Sequence, residues 1–205
     1  MTFWDKTAYF YDWTQFYNRA VCRKLAAYTS RLIPAGAKVL DCAAGTGALS
    51  LAAAEKAKKV ICTDESEKML DIARKKAAYK KNENIVFETK DIFDLKEQDE
   101  SYDTVIAGNV LHLLERPEKA VKEMYRVTKQ GGRLILPTFM TGEKASFVLA
   151  LYGILGFDPV HRYECREYIR MLKSCGCGKV KALRISGKIP CCFAVINKPI
   201  KGETL

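Results

Sequence analysis

From residue 37 the chain alternates short apolar runs with stretches whose apolar positions recur at helical spacing. KVLDCA gives way to GALSLAAAEKA and KVICTD to ESEKMLDIARKKAAY; NIVFETKD, YDTVIAGNVL and GRLILPTF follow, with PEKAVKEMYRVTK before the last. A strand buried on both faces reads as an unbroken apolar run, because neither face meets water. Such strands separated by amphipathic helices predict a mostly parallel sheet with helices on both sides, a doubly wound α/β fold. The helices carry their own punctuation. Ser66 is placed to cap the helix bearing Met69, Leu70, Ile72 and Ala73. Pro117 suits the first turn of the next helix, and Gly131-Gly132 its end.

On either side of this core the pattern changes. Residues 5–32 read as helical, with Trp4, Tyr9, Phe10, Tyr11, Trp13, Phe16 and Tyr17 crowded near the start. Towards the other end, CREYIRMLKSCG reads as a helix, and KVKALRISGKIPCCFAVINK as two strands joined by a turn at Gly187-Lys188. No repeat or low-complexity tract interrupts the chain. One domain is expected, divided into a helical cap (1–36), a core (37–138), a lid-like insertion (139–162) and a closing helix and hairpin (163–205).

Composition narrows the setting. With 205 residues, 48% of them hydrophobic, the chain suffices for one well-buried core and is short for two. Its longest apolar stretch, 145–157, is broken by Ser146, Gly153 and Gly156, and falls short of the roughly 20 residues that span a bilayer. The opening MTFWDKTAYFYDW lacks the basic leader and apolar core of a signal peptide, and a soluble, cytoplasmic protein is expected. Eight cysteines are too sparse for a secreted disulfide framework. Cys22, Cys42 and Cys62 fall in regular segments, where a thiol packs as a small hydrophobe; Cys175, Cys177, Cys191 and Cys192 are close enough in sequence to meet in space. Paired C-x₂-C spacings are missing, so no metal site is expected. The formal charge of +10 would attract anionic substrates, nucleic acid or an anionic membrane surface. Its basic residues come in short groups such as RKK, the usual solvated faces of helices, and do not choose among these partners.

The stretch VLDCAAGTGALS, Val39 to Ser50, holds the most specific chemistry. It places a carboxylate, Asp41, at the end of an apolar run and follows it with small residues. In doubly wound sheets ligands bind beyond the carboxyl ends of the strands. Ala43, Ala44, Gly45 and Gly47 let backbone amides approach a ligand, and the helix after them adds its positive end. Ser50 stands where a dinucleotide fingerprint would have its third glycine. Asp64, with Glu65 beside it, ends the second strand, where its carboxylate can accept from both hydroxyls of a ribose. Asp91 ends the third and can accept from an adenine amino group while the backbone of Ile92 addresses a ring nitrogen; Asp94, three residues on, is the alternative. Asn109, followed by Val110, ends the fourth, near the ligand's remaining polar end. Together these positions describe a site for an adenosine with an amino-acid tail, whose charged end Asp41 would fix directly or through water.

These motifs resemble those of the class I S-adenosylmethionine-dependent methyltransferases, most closely over residues 37–138. VLDCAAGTG is similar to the family's first motif, with Ala43 where glycine is commonest; alanine leaves the loop nearly as open, so a mild departure is expected. The resemblance implies that Met69 lies against adenine and that Tyr11 reaches over the cofactor. It also implies a seven-stranded sheet of order 3-2-1-4-5-7-6 with the seventh strand antiparallel, and S-adenosylhomocysteine as product.

The acceptor is less constrained. S-Adenosylmethionine is already activated, so orientation and water exclusion carry much of the catalysis, and a base is needed only for an acceptor that must lose a proton. His112, just past the fourth strand, is the candidate base. The apolar insertion, with Phe147, Leu149, Leu151, Tyr152, Ile154 and Leu155, would cover a small, partly apolar acceptor or touch a membrane surface. RNA is an alternative, although NVLH lacks the N/D-P-P-Y/F pattern of enzymes that modify exocyclic base nitrogens. A thiol or soft metalloid handled by Cys175, Cys177 or Cys191 is another. From outside the class, a protein that holds S-adenosylmethionine without turnover would carry the same motifs, whereas a nicotinamide oxidoreductase would leave Asp91 and the hairpin unexplained. The sequence leaves the oligomeric state open.

Overall fold

The apolar runs become the strands of one sheet. In the computed structural model, which describes residues 18–140 and 159–202, they are β1 Lys38–Asp41, β2 Lys59–Asp64, β3 Ile85–Thr89, β4 Tyr102–Ile106, β5 Thr128–Phe139, β6 Val180–Ile185 and β7 Cys191–Asn197. Among the described residues the sheet has seven strands in the order β3-β2-β1-β4-β5-β7-β6. The first five pair in parallel, and β7 is antiparallel to both neighbours. The helices described are α1 Arg19–Leu32, α2 Ala48–Ala54, α3 Glu67–Tyr79, α4 Pro117–Val127 and α5 Cys165–Ser174, with a 3₁₀ turn at Leu111–Leu113.

Strand alternation splits the core into two layers. Val39, Val60, Ile106 and Ile135 point to one face and pack with Leu25 of α1, Leu51 of α2 and Leu70 of α3. Their neighbours Leu40, Ile61, Val105, Leu134 and Leu136 face the other way, against Val121 and Met124 of α4 and Tyr168 and Leu172 of α5. Each fully buried aliphatic side chain of this kind contributes about 1.5–3 kcal/mol. Ser66 Oγ accepts from the Met69 amide at 3.3 Å, starting α3 in the phase that turns Met69, Leu70, Ala73 and Ala77 inward.

Some expectations shift. Gly131-Gly132 does not end α4: that helix stops at Val127, and β5 begins at Thr128. The glycines lie inside β5, beside a register irregularity against β4. A Cβ on Gly132 would fall 2.9 Å from the Asp103 carbonyl oxygen, and Gly131 N donates to Lys198 O at 2.9 Å, so their small size serves close backbone approach within the sheet. Of the helix expected over 5–32, α1 is its described part; the aromatic cluster and most of the insertion lie outside the described residues. The β6–β7 turn packs on α1, where a Cβ on Gly187 would meet Val21 Cγ2 at 2.1 Å and Asn18 Nδ2 donates to Ile189 O at 2.8 Å. No described helix is long and apolar enough to cross a membrane.

Candidate active site

The strand order reverses between β1 and β4, and the loop leaving β1 is threaded between the ends of its neighbours. Cys42 N donates to Ile106 O of β4 and Ala44 N to Thr63 O of β2, both at 2.8 Å. To turn into α2 within a few residues, the chain takes left-handed conformations at Ala43 (φ 49°), Gly45 (φ 55°) and Gly47 (φ 77°). That region costs a residue with a Cβ about 1–2 kcal/mol. Ala43, which carries a Cβ, therefore bears backbone strain that a glycine would not. Gly47 is small for a different reason: a Cβ there would stand 2.9 Å from the Cβ of Ala73, so it lets α2 and α3 approach each other.

Asp64, 6% exposed, ties this loop to the next. Its Oδ2 accepts from Gly45 N at 2.8 Å and its Oδ1 from Ser66 N at 2.9 Å. The carboxylate thus shapes the loop after β1 and the start of α3 at once. Its oxygens have capacity for further donors, since a carboxylate offers about four lone-pair sites.

Beyond these loops opens a cleft of about 390 Å³, within the range of ligand sites. Nine sequence-predicted residues line it: Ala43, Gly45, Asp64, Glu65, Met69, Asp91, Ile92, Asn109 and Val110. Asp91 is exposed to the cleft and its Oδ1 accepts from Phe93 N at 2.8 Å, whereas Asp94 is absent from the lining and pairs with Lys96 at 2.5 Å. Lys90, Phe93, Gly108, Leu113 and Leu114 also line the cleft and were not singled out from sequence. Phe93 sits beside the Asp91-Ile92 pair and was the most accessible to inference. Lys90 is paired with Glu88 and Glu97, so its charge is already compensated.

Asp41 and Ala44 line a second, small cavity of about 30 Å³ that shares Gly108 and Asn109 with the cleft. Asp41 is 1% exposed. Its Oδ2 accepts from Ser50 Oγ at 2.6 Å, but its Oδ1, like Asn109 Oδ1, is buried without a hydrogen-bond partner among the described residues. Burial pushes the Asp41 carboxyl up to about 7; the Ser50 hydrogen bonds oppose this and the nearby Asp64 charge adds to it. Tyr11 lies outside the described residues, and Gly47 lines neither cavity.

His112 does not reach the cleft. Its side chain is 2% exposed in the 3₁₀ turn, and its backbone oxygen accepts from His161 N at 3.0 Å. Burial first, and His161 second, push the imidazole down to about 4, leaving it neutral at pH 7. Cys175 and Cys177 are buried in the α5 layer, and Cys191 and Cys192 point to opposite layers of the core. None of the four lines the cleft. Among the described residues no group of three or more His, Cys, Asp or Glu is arranged to hold a metal ion.

Residues 33–152 match the family model described as a methyltransferase domain. A demethylmenaquinone methyltransferase of Clavibacter sepedonicus is 37% identical over 107 residues, 52% of this chain and 43% of that protein. A malonyl-[acyl-carrier protein] O-methyltransferase of Methylococcus capsulatus is 29% identical over 174 residues, 83% of this chain and 62% of that one. The chain thus spans less than two thirds of either relative's length. Among solved structures, the YcgJ protein of Bacillus subtilis shares the fold with a TM-score of 0.68 at 20% identity, over 86% of this chain and 99% of that one.

Proposed function

The chain belongs to the methyltransferase domain family, and from that membership we propose that it is an S-adenosylmethionine-dependent enzyme transferring a methyl group to a small, partly apolar acceptor. One observation carries the reading. At the strand-order reversal, a cleft lined by Asp64, Glu65 and Asp91 shares Gly108 and Asn109 with a small cavity lined by Asp41, and two buried oxygens there, Asp41 Oδ1 and Asn109 Oδ1, lack a hydrogen-bond partner among the described residues. A ligand with ribose hydroxyls at one end and an ammonium group at the other fits both demands. Gly108 lines both cavities and is packed closely against α2: a Cβ there would lie 2.5 Å from Leu49 Cδ1.

When bound, this cofactor supplies a methyl group already activated on a sulfonium. The chain binds and orients. Asp64, with Glu65, takes the ribose; Asp91 and the Ile92 amide take the adenine, with Met69 against the ring. Ala43, Ala44 and Gly45 form the loop wall, with Gly47 setting the turn behind it, and Asp41 and Asn109 hold the amino-acid end beside Val110. Tyr11 belongs to the same assignment. Phe93, Leu113 and Leu114 give the cleft an apolar side, which supports a partly apolar acceptor over RNA, as do relatives named for demethylmenaquinone and for malonyl-[acyl-carrier protein]. His112, buried and neutral, is not placed to act as base, so orientation and exclusion of water carry the reaction.

Calorimetry with S-adenosylmethionine, S-adenosylhomocysteine and NAD tests the cofactor, with saturable binding of the first two expected. Binding of NAD with no response to either adenosyl ligand would overturn it. Turnover is then read as S-adenosylhomocysteine formed with quinone precursors, phenols, carboxylates, thiols, amines and RNA. Release with an apolar small molecule is expected; release with RNA alone would move the acceptor class, and none with any acceptor would leave a binding protein.

A further inference from the structure

Cys165, the first residue of α5, and Cys192, the second of β7, bring their sulfurs to 3.0 Å across 27 positions of sequence. Among the described residues, which include all eight cysteines, no disulfide is formed. Cys192 is fully buried, while Cys165 is only partly buried. The function proposed above uses neither. A close pair with one partly exposed and one fully buried member suits thiol–disulfide exchange, in which access decides which thiol reacts first.

We propose that Cys165 and Cys192 are a reversible redox pair that closes to an intramolecular disulfide on reaction with a small-molecule disulfide such as oxidised glutathione. The Cys165 thiol loses its proton and attacks one glutathione sulfur, breaking the glutathione disulfide and releasing one glutathione. Cys192 then gives up its proton and attacks the Cys165 sulfur of the mixed disulfide, releasing the second. Two protein thiols are oxidised and one glutathione disulfide is reduced to two thiols. Cys42, Cys62, Cys175 and Cys177 lack this arrangement. Cys175 and Cys177 direct their sulfurs to backbone oxygens of Met171 and Cys175, and Cys42, Cys62 and Cys191 are closed inside the core.

The bond would act on the wall of the active site. Cys165 follows directly on the segment whose His161 amide bonds the His112 carbonyl, and His112 shares its 3₁₀ turn with Leu113 of the cleft. Closing the pair pins the start of α5, and the segment before it, to β7.

The test incubates the full chain with oxidised glutathione, quenches in acid, unfolds, alkylates and maps peptides by mass spectrometry. The expected product joins Cys165 to Cys192, two hydrogens lighter, and is reversed by dithiothreitol. Closing a loop of this length should also raise the melting temperature by roughly 6–12 °C. Cys165→Ser, at the partly exposed position, should keep the melting temperature of the reduced protein and lose the rise. Cys192→Ala should retain glutathione on Cys165 as a mixed disulfide. Alkylation of both cysteines after oxidation, glutathione retained on Cys165 of the unsubstituted protein, or a bridge between other cysteines would each overturn the proposal.

Discussion

The ends of β1 and β2 carry the same functional group in opposite situations. Asp64 is satisfied by the protein: both oxygens accept backbone amides, from Gly45 and Ser66. Asp41, on the neighbouring strand, is more deeply buried, has one oxygen bonded to Ser50, and has the other without a partner among the described residues. A buried carboxylate is costly unless its lone pairs are met. The first is therefore part of the scaffold, whereas the second is left short by the described fold, as the proposed binding of an ammonium group there requires.

The largest test of this contrast is Asp64→Ala. It removes two charge-assisted hydrogen bonds, each worth about 1.5–3 kcal/mol, and leaves two loop amides without their acceptor. Unfolding by denaturant should show a loss of about 3 kcal/mol or more without any ligand present, along with weakened cofactor binding. An unchanged midpoint would mean that the carboxylate serves the ligand alone. Asp64→Asn, which keeps one acceptor oxygen, should fall between.

Asp41→Asn should do the reverse. Without ligand, the variant should be at least as stable as the parent at pH 8, because a buried charge has been removed. S-Adenosylmethionine should bind about 10–100-fold more weakly, the equivalent of one charged hydrogen bond. The pH dependence carries the same signature. The folded-state carboxyl, near 7, lies above its ordinary 3.8, so the folded chain holds a proton that the unfolded chain has released. The contribution of Asp41 to stability is thus fully present below about pH 4 and is lost as pH rises towards 7. Cofactor affinity should run the other way and rise between pH 5.5 and 7.5, as the carboxylate that meets the ammonium ionises. Calorimetry at pH 6 in buffers of different ionisation enthalpy should register proton release on binding. Identical pH profiles for parent and Asp41→Asn would separate Asp41 from the ligand.

Much of this site was legible because strand ends can be read locally. An apolar run that stops at an acid marks the carboxyl edge of a buried strand: Asp41 and Asp64 close β1 and β2, whereas Asp91 and the amide Asn109, expected to end the next two strands, lie two and three residues beyond β3 and β4. What depended on distant partners was not legible. Gly45, which engages Asp64, is 19 residues away, and Gly47 answers to Ala73 on another helix. Gly131-Gly132 looked like a helix end because glycine commonly marks one, yet contacts with Asp103 and Lys198 make it a feature of the sheet. His112 looked available because it follows β4, but the 3₁₀ turn puts Leu113 on the cleft and His112 inside.

The smallest test lies between the two carboxylates. Ala43 is held at φ 49°, where a Cβ meets the following carbonyl oxygen and costs about 1–2 kcal/mol. Ala43→Gly relieves that strain but gives the unfolded chain more freedom, which offsets about 0.4–1 kcal/mol. The net should be a stabilisation of up to about 1 kcal/mol in denaturant unfolding, with cofactor affinity changed by less than about threefold. Should the variant instead lose stability, the loop would owe its shape to the Ala44 and Gly45 amide bonds strongly enough that Ala43 bears no strain. The left-handed turn would then be imposed by Asp64 from the end of β2, and the scaffold role assigned to that carboxylate would grow at the expense of the loop's own sequence.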